Sequence, residues 1–244
     1  MGAIAAVVLG SGLGACSAGG AKPKDASPDT PVDMAPGMCG ADVFFTGEIV
    51  DWDSTDAKFC GVFGAKWTVR GDVTRTSTTA PNGRFQLCLS PQAQTIVDIV
   101  PPAAGSECPG LAGMAMNTYP LQAVVIASDA VIAAGGLYSA RAMVQSRITS
   151  MFAQIGQPLA TDHGQLLVHV NGTPRAITLS AGHDASQRFD GTTWAAGDTG
   201  SDVFFPNVVV SGGAVSVTMT GTAVGTGSYT LEPGKLTYLS VIAN

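Results

Sequence analysis

Charged side chains are scarce in this chain. Only 12% of its 244 residues are Asp, Glu, Lys or Arg, about half the roughly 25% of an average soluble domain. Lys and Glu, which usually dress solvent-facing helices, number five and three, and their scarcity argues against a helical protein. Basic clusters are missing as well: the densest grouping is Lys22-Pro23-Lys24. Neither half is net positive, with seven Lys/Arg against eleven Asp/Glu in residues 16–110 and five against seven beyond. Nucleic acid is held mainly through clustered Lys and Arg, so it is excluded as a partner.

What the chain has is glycine, proline and short apolar runs. There are 31 Gly and 14 Pro, and 45% of residues are hydrophobic, so turns are plentiful and a core is affordable. The length fits one large or two small domains. Many short strands suit this composition, and the expected fold class is mainly β: two antiparallel β-sandwich-like domains, the second carrying one packed amphipathic helix.

Residues 3–15 are apolar or small and uncharged, the length of the hydrophobic region of a secretory signal. They are too short to cross a bilayer. No Lys or Arg precedes them, a departure from the usual positive start. The run ends in Leu13-Gly14-Ala15-Cys16, which resembles the lipobox of bacterial lipoproteins. The resemblance implies cleavage after Ala15 and a diacylglycerol thioether on Cys16. Residues 1–15 are therefore expected to be a lipoprotein signal peptide. Residues 16–38, rich in small residues, Pro and Asp, are expected to be a flexible tether. Ser17 in place of Asp favours the outer membrane by resemblance to known sorting signals. The partner implied is a membrane, reached through the N-terminal lipid, and the location implied is the cell envelope.

With Cys16 assigned to lipid, Cys39, Cys60, Cys88 and Cys108 remain, an even number in an exported chain. Two disulfides are expected. Of three connectivities, Cys39 with Cys60 and Cys88 with Cys108 is preferred, because each clips a neighbouring segment to the sheet. The spacings lack the close pairs of a structural zinc site.

Alternating runs at Val43–Asp51, Ala65–Gly71, Thr74–Thr79, Arg84–Leu89 and Thr95–Val100 read as strands. Pro81-Asn82-Gly83 is a hairpin signal, since Asn-Gly tolerates positive φ. Gly47-Glu-Ile-Val-Asp51, Gly64-Ala65 leading to Trp67 and Val69, Gly71, and Thr76 to Leu87 with its Asn-Gly-Arg-Phe element resemble the carboxypeptidase regulatory-like domain. That resemblance covers roughly residues 43–101. It implies a seven-stranded, prealbumin-like β-sandwich that is generally non-catalytic, and it carries no active-site residue. The first domain is expected over 39–110.

Residues 111–244 are expected to form a second β-rich domain. The apolar stretch 121–138 is interrupted by Asp129, which costs roughly 2.5–3.5 kcal/mol at a bilayer centre, and by Gly135-Gly136, so it reads as strand and turn. Ser139 is a candidate N-cap. Ala140, Met143, Val144, Ile148, Met151, Phe152 and Ile155 recur at helical spacing, predicting a helix over 139–155 that stops at Gly156 and Pro158. Seven further strands are expected between Gln165 and Ile242. Asp42-Val-Phe-Phe45 recurs as Asp202-Val-Phe-Phe205, a weak hint of two related sandwiches.

Catalytic patterns are missing. His163, His169 and His183 are the only histidines, and none begins a His-Glu-x-x-His run. There is no Gly-x-Ser-x-Gly elbow and no Gly-x-x-x-x-Gly-Lys loop. No catalytic residue, metal ligand or cofactor is assigned, and no enzyme activity is expected. Asp162-His163 and His183-Asp184 could meet in space as metal ligands, or else are surface loop residues, and Asp184, Asp190, Asp198 and Asp202 are a candidate calcium set whose spacings fit no compact loop motif. Phe189 and Trp194, in Gln187-Arg-Phe-Asp-Gly-Thr-Thr-Trp194, are candidate ligand contacts, or else a hydrophobic plug under a long loop. The function expected is a non-catalytic binding or adhesion module contacting an envelope protein or glycan. The alternatives are a structural accessory domain of an envelope complex and, behind it, a metal-dependent enzyme.

Overall fold

A computed structural model describes residues 39–55, 59–90, 95–100, 122–127 and 138–243. The expected signal peptide, tether and lipid site at Cys16 lie outside these residues, as do Cys108, the 128–137 segment and the 110/111 domain boundary.

The chain is mainly β. Before the helix come β1 (Val43–Asp51), β2 (Lys66–Val69), β3 (Asp72–Thr78), β4 (Arg84–Leu89), β5 (Thr95–Val100), β6 (Gln122–Ala127) and β7 (Tyr138–Ala142). Then follow α1 (Gln145–Ile155), β8 (Gly164–Asn171), β9 (Ile177–Leu179), β10 (Gln187–Phe189), β11 (Trp194–Ala196) and β12 (Asp202–Val208). The last are β13 (Ala214–Met219), β14 (Ala223–Val224), β15 (Gly227–Thr230) and β16 (Lys235–Ala243).

One long sheet runs β11-β10-β12-β8-β16-β6-β5-β2-β3, with β14 attached to β16. Two three-stranded sheets, β4-β1-β7 and β15-β13-β9, accompany it. Alternation along the long sheet divides its side chains between two cores. Trp67, Val97, Ile99, Leu167, Phe204 and Tyr238 pack with Phe45, Ile49, Phe85, Leu87 and Tyr138 of the β1 sheet and with Ile148, Met151 and Phe152 of α1. Leu166, Val168, Val203, Phe205, Leu239 and Val241 pack with Ile177, Val215, Val217 and Tyr229 of the β13 sheet. Neighbouring residues of a strand point to opposite faces, so the two small sheets cover opposite faces of the long one. Most pairs are antiparallel, but β1 with β7, β16 with β6 and β16 with β8 are parallel. Strands from both sides of residue 110 are paired: β6 bonds β5, and β7 bonds β1. The two Val-Phe-Phe segments occupy β1 and β12, in different sheets.

Three local expectations are corrected. The helix begins at Gln145, with extended Val144 as an N-cap that supplies no side-chain bond, and Ser139 is in β7 opposite Glu48. Tyr138, Ala140 and Ala142 are buried at alternate positions. That period of two let β7 take the edge of β1, whereas Ala140, Met143 and Val144 happened also to suit a period of 3.6. The stop is as expected, with Gly156 left-handed at φ 69°. Second, Pro81-Asn82-Gly83 does not join partners. Gly83 donates to the Ala80 carbonyl at 2.7 Å, but β4 pairs with β1 while β3 edges the long sheet. The turn is a corner between sheets. Gly83 has φ +76°, and a Cβ there would stand 2.3 Å from the Ile49 carbonyl oxygen, so glycine is required. Third, the disulfide joins Cys39 to Cys88, not Cys39 to Cys60 or Cys88 to Cys108. Antiparallel β1 and β4 put Val43 opposite Leu89, which brings the residues just before β1 to the end of β4. Cys60 is also disulfide-bonded.

An ion network bridges the strands that flank β6. Arg70, after β2, donates to Asp98 of β5 through Nε at 3.0 Å and Nη2 at 2.5 Å, and its Nη1 pairs with Glu232. Lys235, opening β16, completes it with Glu232 at 2.6 Å and Asp98 at 3.4 Å. Hydrogen bonds from Arg70 hold the Asp98 carboxyl below its ordinary 3.8, against the opposing effect of partial burial.

Two outcomes are expected. Replacing Cys39 and Cys88 together by Ser should cost about 2–4 kcal/mol, read by urea unfolding. Asp98→Asn should cost about 1 kcal/mol at neutral pH. Because folding depresses the Asp98 value, its contribution is present above the unfolded value and is lost as pH falls through and below 3.8. Urea midpoints of the two proteins should therefore differ at pH 7 and converge in acid.

Candidate functional site

The chain leaves β1 through Trp52, whose N–H donates to the Ala142 carbonyl at 2.7 Å, while Asp51 N–H donates to Cys60 at 2.9 Å. The turn is tightened by Asp53 N–H on Asp51 Oδ1 (2.9 Å) and by Cys60 N–H on Ser54 Oγ (2.8 Å). Trp52 is thereby fixed, 5% exposed, at the point where β1, β7 and the β10–β11 hairpin meet.

That hairpin supplies two more rings. Phe189 and Trp194 are cross-strand partners, with centroids 5.2 Å apart. Trp52 stacks on Trp194 at 5.2 Å and meets Phe189 edge-on at 5.0 Å. The hairpin turn is held by Asp190, whose Oδ1 accepts from the N–H groups of Thr193 (2.7 Å) and Thr192 (2.8 Å). Those bonds hold the Asp190 carboxyl below its ordinary value, Thr193 contributing most.

Charged groups stand around the rings. Arg141, on β7 opposite Val50, lies with its guanidinium carbon 5.8 Å from the Trp52 centroid. Its Nη1 donates to the Trp52 carbonyl at 3.1 Å and the Ser54 carbonyl at 3.4 Å. Arg147, in the first turn of α1, is 3.3 Å from Asp53. Asp202 accepts from His169 Nδ1 across the β8–β12 ladder at 2.8 Å, and His169 stacks on Tyr238. Tyr238 is buried and donates to the Ser139 carbonyl at 3.0 Å. Burial foremost, then Asp202, pushes its phenol well above the ordinary range.

Between these elements opens a cleft of about 650 Å³. Trp52 and Phe189 give it apolar wall, Arg141, Arg147, Asp53, Asp190 and Asp202 give it charge, and Ser54, Thr55, Thr192 and Ser201 give it hydroxyls. Of the two expected contact residues, Phe189 lines the cleft. Trp194 does not: it is 4% exposed and packs behind Phe189 and Trp52, against Phe204. The plug reading holds for Trp194. No local motif in the sequence marks Trp52, Arg141 or Arg147. Trp52 and Arg141 are 89 positions apart and meet only because β7 pairs with β1.

The candidate metal residues are dispersed. His163 Nδ1 bonds Asp162 at 2.8 Å, and His183 donates to the Asp184 carbonyl at 2.5 Å with its ring edge on Phe205. Asp184 instead accepts from Asn207 at 2.7 Å. Asn207, at φ 50° in the β12 bulge beside Pro206, also binds Gln165, the Pro158 carbonyl and the Ala160 N–H. Asp198 accepts from Thr199. Among the described residues no three His, Cys, Asp or Glu gather as metal ligands.

No family model matches the chain, the carboxypeptidase regulatory-like domain included, and no curated protein matches it. Solved structures overlap it loosely. The shaft pilin SpaA of Lactobacillus rhamnosus GG is 10% identical, with 83% of this chain and 98% of the pilin covered at a TM-score of 0.28. A leucine-rich repeat protein of Bacteroides thetaiotaomicron is 12% identical, with 84% and 26% covered at 0.22. At such scores the overlap carries no functional inference.

Trp194→Ala is expected to cost about 3–5 kcal/mol, as for a large core aromatic. Phe189→Ala, at the cleft wall, should cost clearly less. Paired urea melts check the order.

Proposed function

We propose that this chain is a non-catalytic binding module of a bacterial cell envelope, tethered through lipid on Cys16, and that its cleft takes a saccharide. The observation that carries the reading is the lining itself. Two aromatic rings, two guanidinium groups, three carboxylates and four hydroxyls converge on one opening of about 650 Å³. Sugars present closely spaced hydroxyls beside apolar C–H faces, and such a surface is matched by paired donors and acceptors next to aromatic wall. Most of these groups are already fixed by protein partners, which lowers the ordering cost of binding. The Leu13-Gly14-Ala15-Cys16 run and the Pro-rich segment after it support the envelope location. The structural accessory role draws support from a different feature, the sheet shared by both halves, which makes a stiff spacer.

The protein should bind members of a panel of neutral and acidic bacterial polysaccharides, and Asp202→Asn should weaken the best of them about tenfold with the melting temperature little changed. Absence of binding across the panel by correctly folded protein overturns the saccharide reading. A fixed protein partner retained through mild detergent extraction would then favour the accessory role.

A further inference from the structure

The hydrogen-bond inventory of the cleft is unequal. Its carboxylates are largely turned onto protein donors: Asp190 onto the N–H groups of its own turn, Asp202 onto His169, and Asp53 toward Arg147. Its guanidinium groups are not used up to the same degree. Each carries five N–H donors in a planar fork. Arg147 Nε is buried without a hydrogen-bond partner, its approach to Asp53 being an ion pair outside hydrogen-bond geometry. Arg141 uses Nη1 alone, on two main-chain carbonyls. Among the described residues no carboxylate lies within ion-pair distance of it. The Trp52 ring backs one face of Arg141 and the two carbonyls fix one nitrogen, so the fork is held in place before a ligand arrives.

We infer that Arg141 is the recognition point for a carboxylate carried by the ligand, so that the cleft selects acidic saccharides of the uronic acid type. The inference rests on the saccharide reading above and narrows it. A planar carboxylate meets the fork bidentately, with two charge-assisted bonds. The remaining ring hydroxyls find Ser201, Thr192 and the second oxygen of Asp202. Selection resides in the cleft and not in long-range attraction, because the chain as a whole carries a formal charge of -6. An uncharged sugar leaves Arg141 without a counter-ion in a partly enclosed site, which is unfavourable.

The test compares trigalacturonic acid with its fully methyl-esterified form, two ligands alike in rings and hydroxyls but differing in charge, by titration calorimetry on the unaltered protein. The acid is expected to bind at least tenfold more tightly than the ester. Arg141→Gln should abolish that difference by weakening the acid alone, with folding checked by a thermal melt. If acid and ester bind equally, the carboxylate assignment is overturned while the saccharide reading stands. If neither binds and no neutral polysaccharide on the panel does, both fall. The ligand comparison needs no variant, so a destabilised Arg141→Gln protein does not shield the inference.

Discussion

The parallel pairing of β16 with β6 is the joint on which the molecule depends. β16 is the last of the described strands, yet it lies in the middle of the long sheet, with β6 on one side and β8 on the other. Remove that pairing and the sheet separates into β3-β2-β5-β6 and β16-β8-β12-β10-β11. With it, ten strands form one sheet, and the Arg70, Asp98, Glu232 and Lys235 network spans the same line. Parallel contacts between strands more than a hundred residues apart close only after the intervening chain is in place. Folding of the two halves is thereby coupled at the sheet.

Opposite coverage of the long sheet explains why its strands bury both faces. β8 reads Gly-Gln-Leu-Leu-Val-His-Val-Asn and is buried almost throughout, since Leu167 serves one core and Leu166 and Val168 the other. β3, at the far edge, exposes Val73, Thr74, Thr76 and Thr78, with Val73 80% exposed. The polar edge limits unwanted pairing with other chains. The cleft belongs to the α1 side of the sheet, where the β1 sheet ends and the helix begins.

Much of the strand pattern was legible in the sequence because it is local. Alternation in Arg84–Leu89 or Val215–Met219 needs no partner to be read, and Gly156 stops a helix wherever it lies. Pairing was not legible. The Asn82-Gly83 turn has the chemistry of a hairpin, but β4 pairs with β1 and sets Phe85 stacked on Trp67 of the long sheet, ring centroids 3.6 Å apart, a long-range contact that no local pattern announces. The cysteine connectivity failed for the same reason, since it follows from the β1–β4 register. The site was half visible: Phe189 stood out by composition, whereas Arg141 looked like an ordinary polar helix position until β7 claimed it.

Cys39 stands four positions before the start of β1, and its bond to Cys88 has a mechanical consequence. Tension entering the domain from the N-terminal side reaches Cys39 and divides there, part passing along β1 and part directly through sulfur to the end of β4. The 49-residue separation between the two cysteines is removed from the length that such a pull can draw out. β1, which carries Trp52 to the cleft, is thus kept from being peeled off its sheet from its exposed end. A shearing load is instead met by the β1–β4 pair as one unit, and the cleft can keep its shape while that load acts.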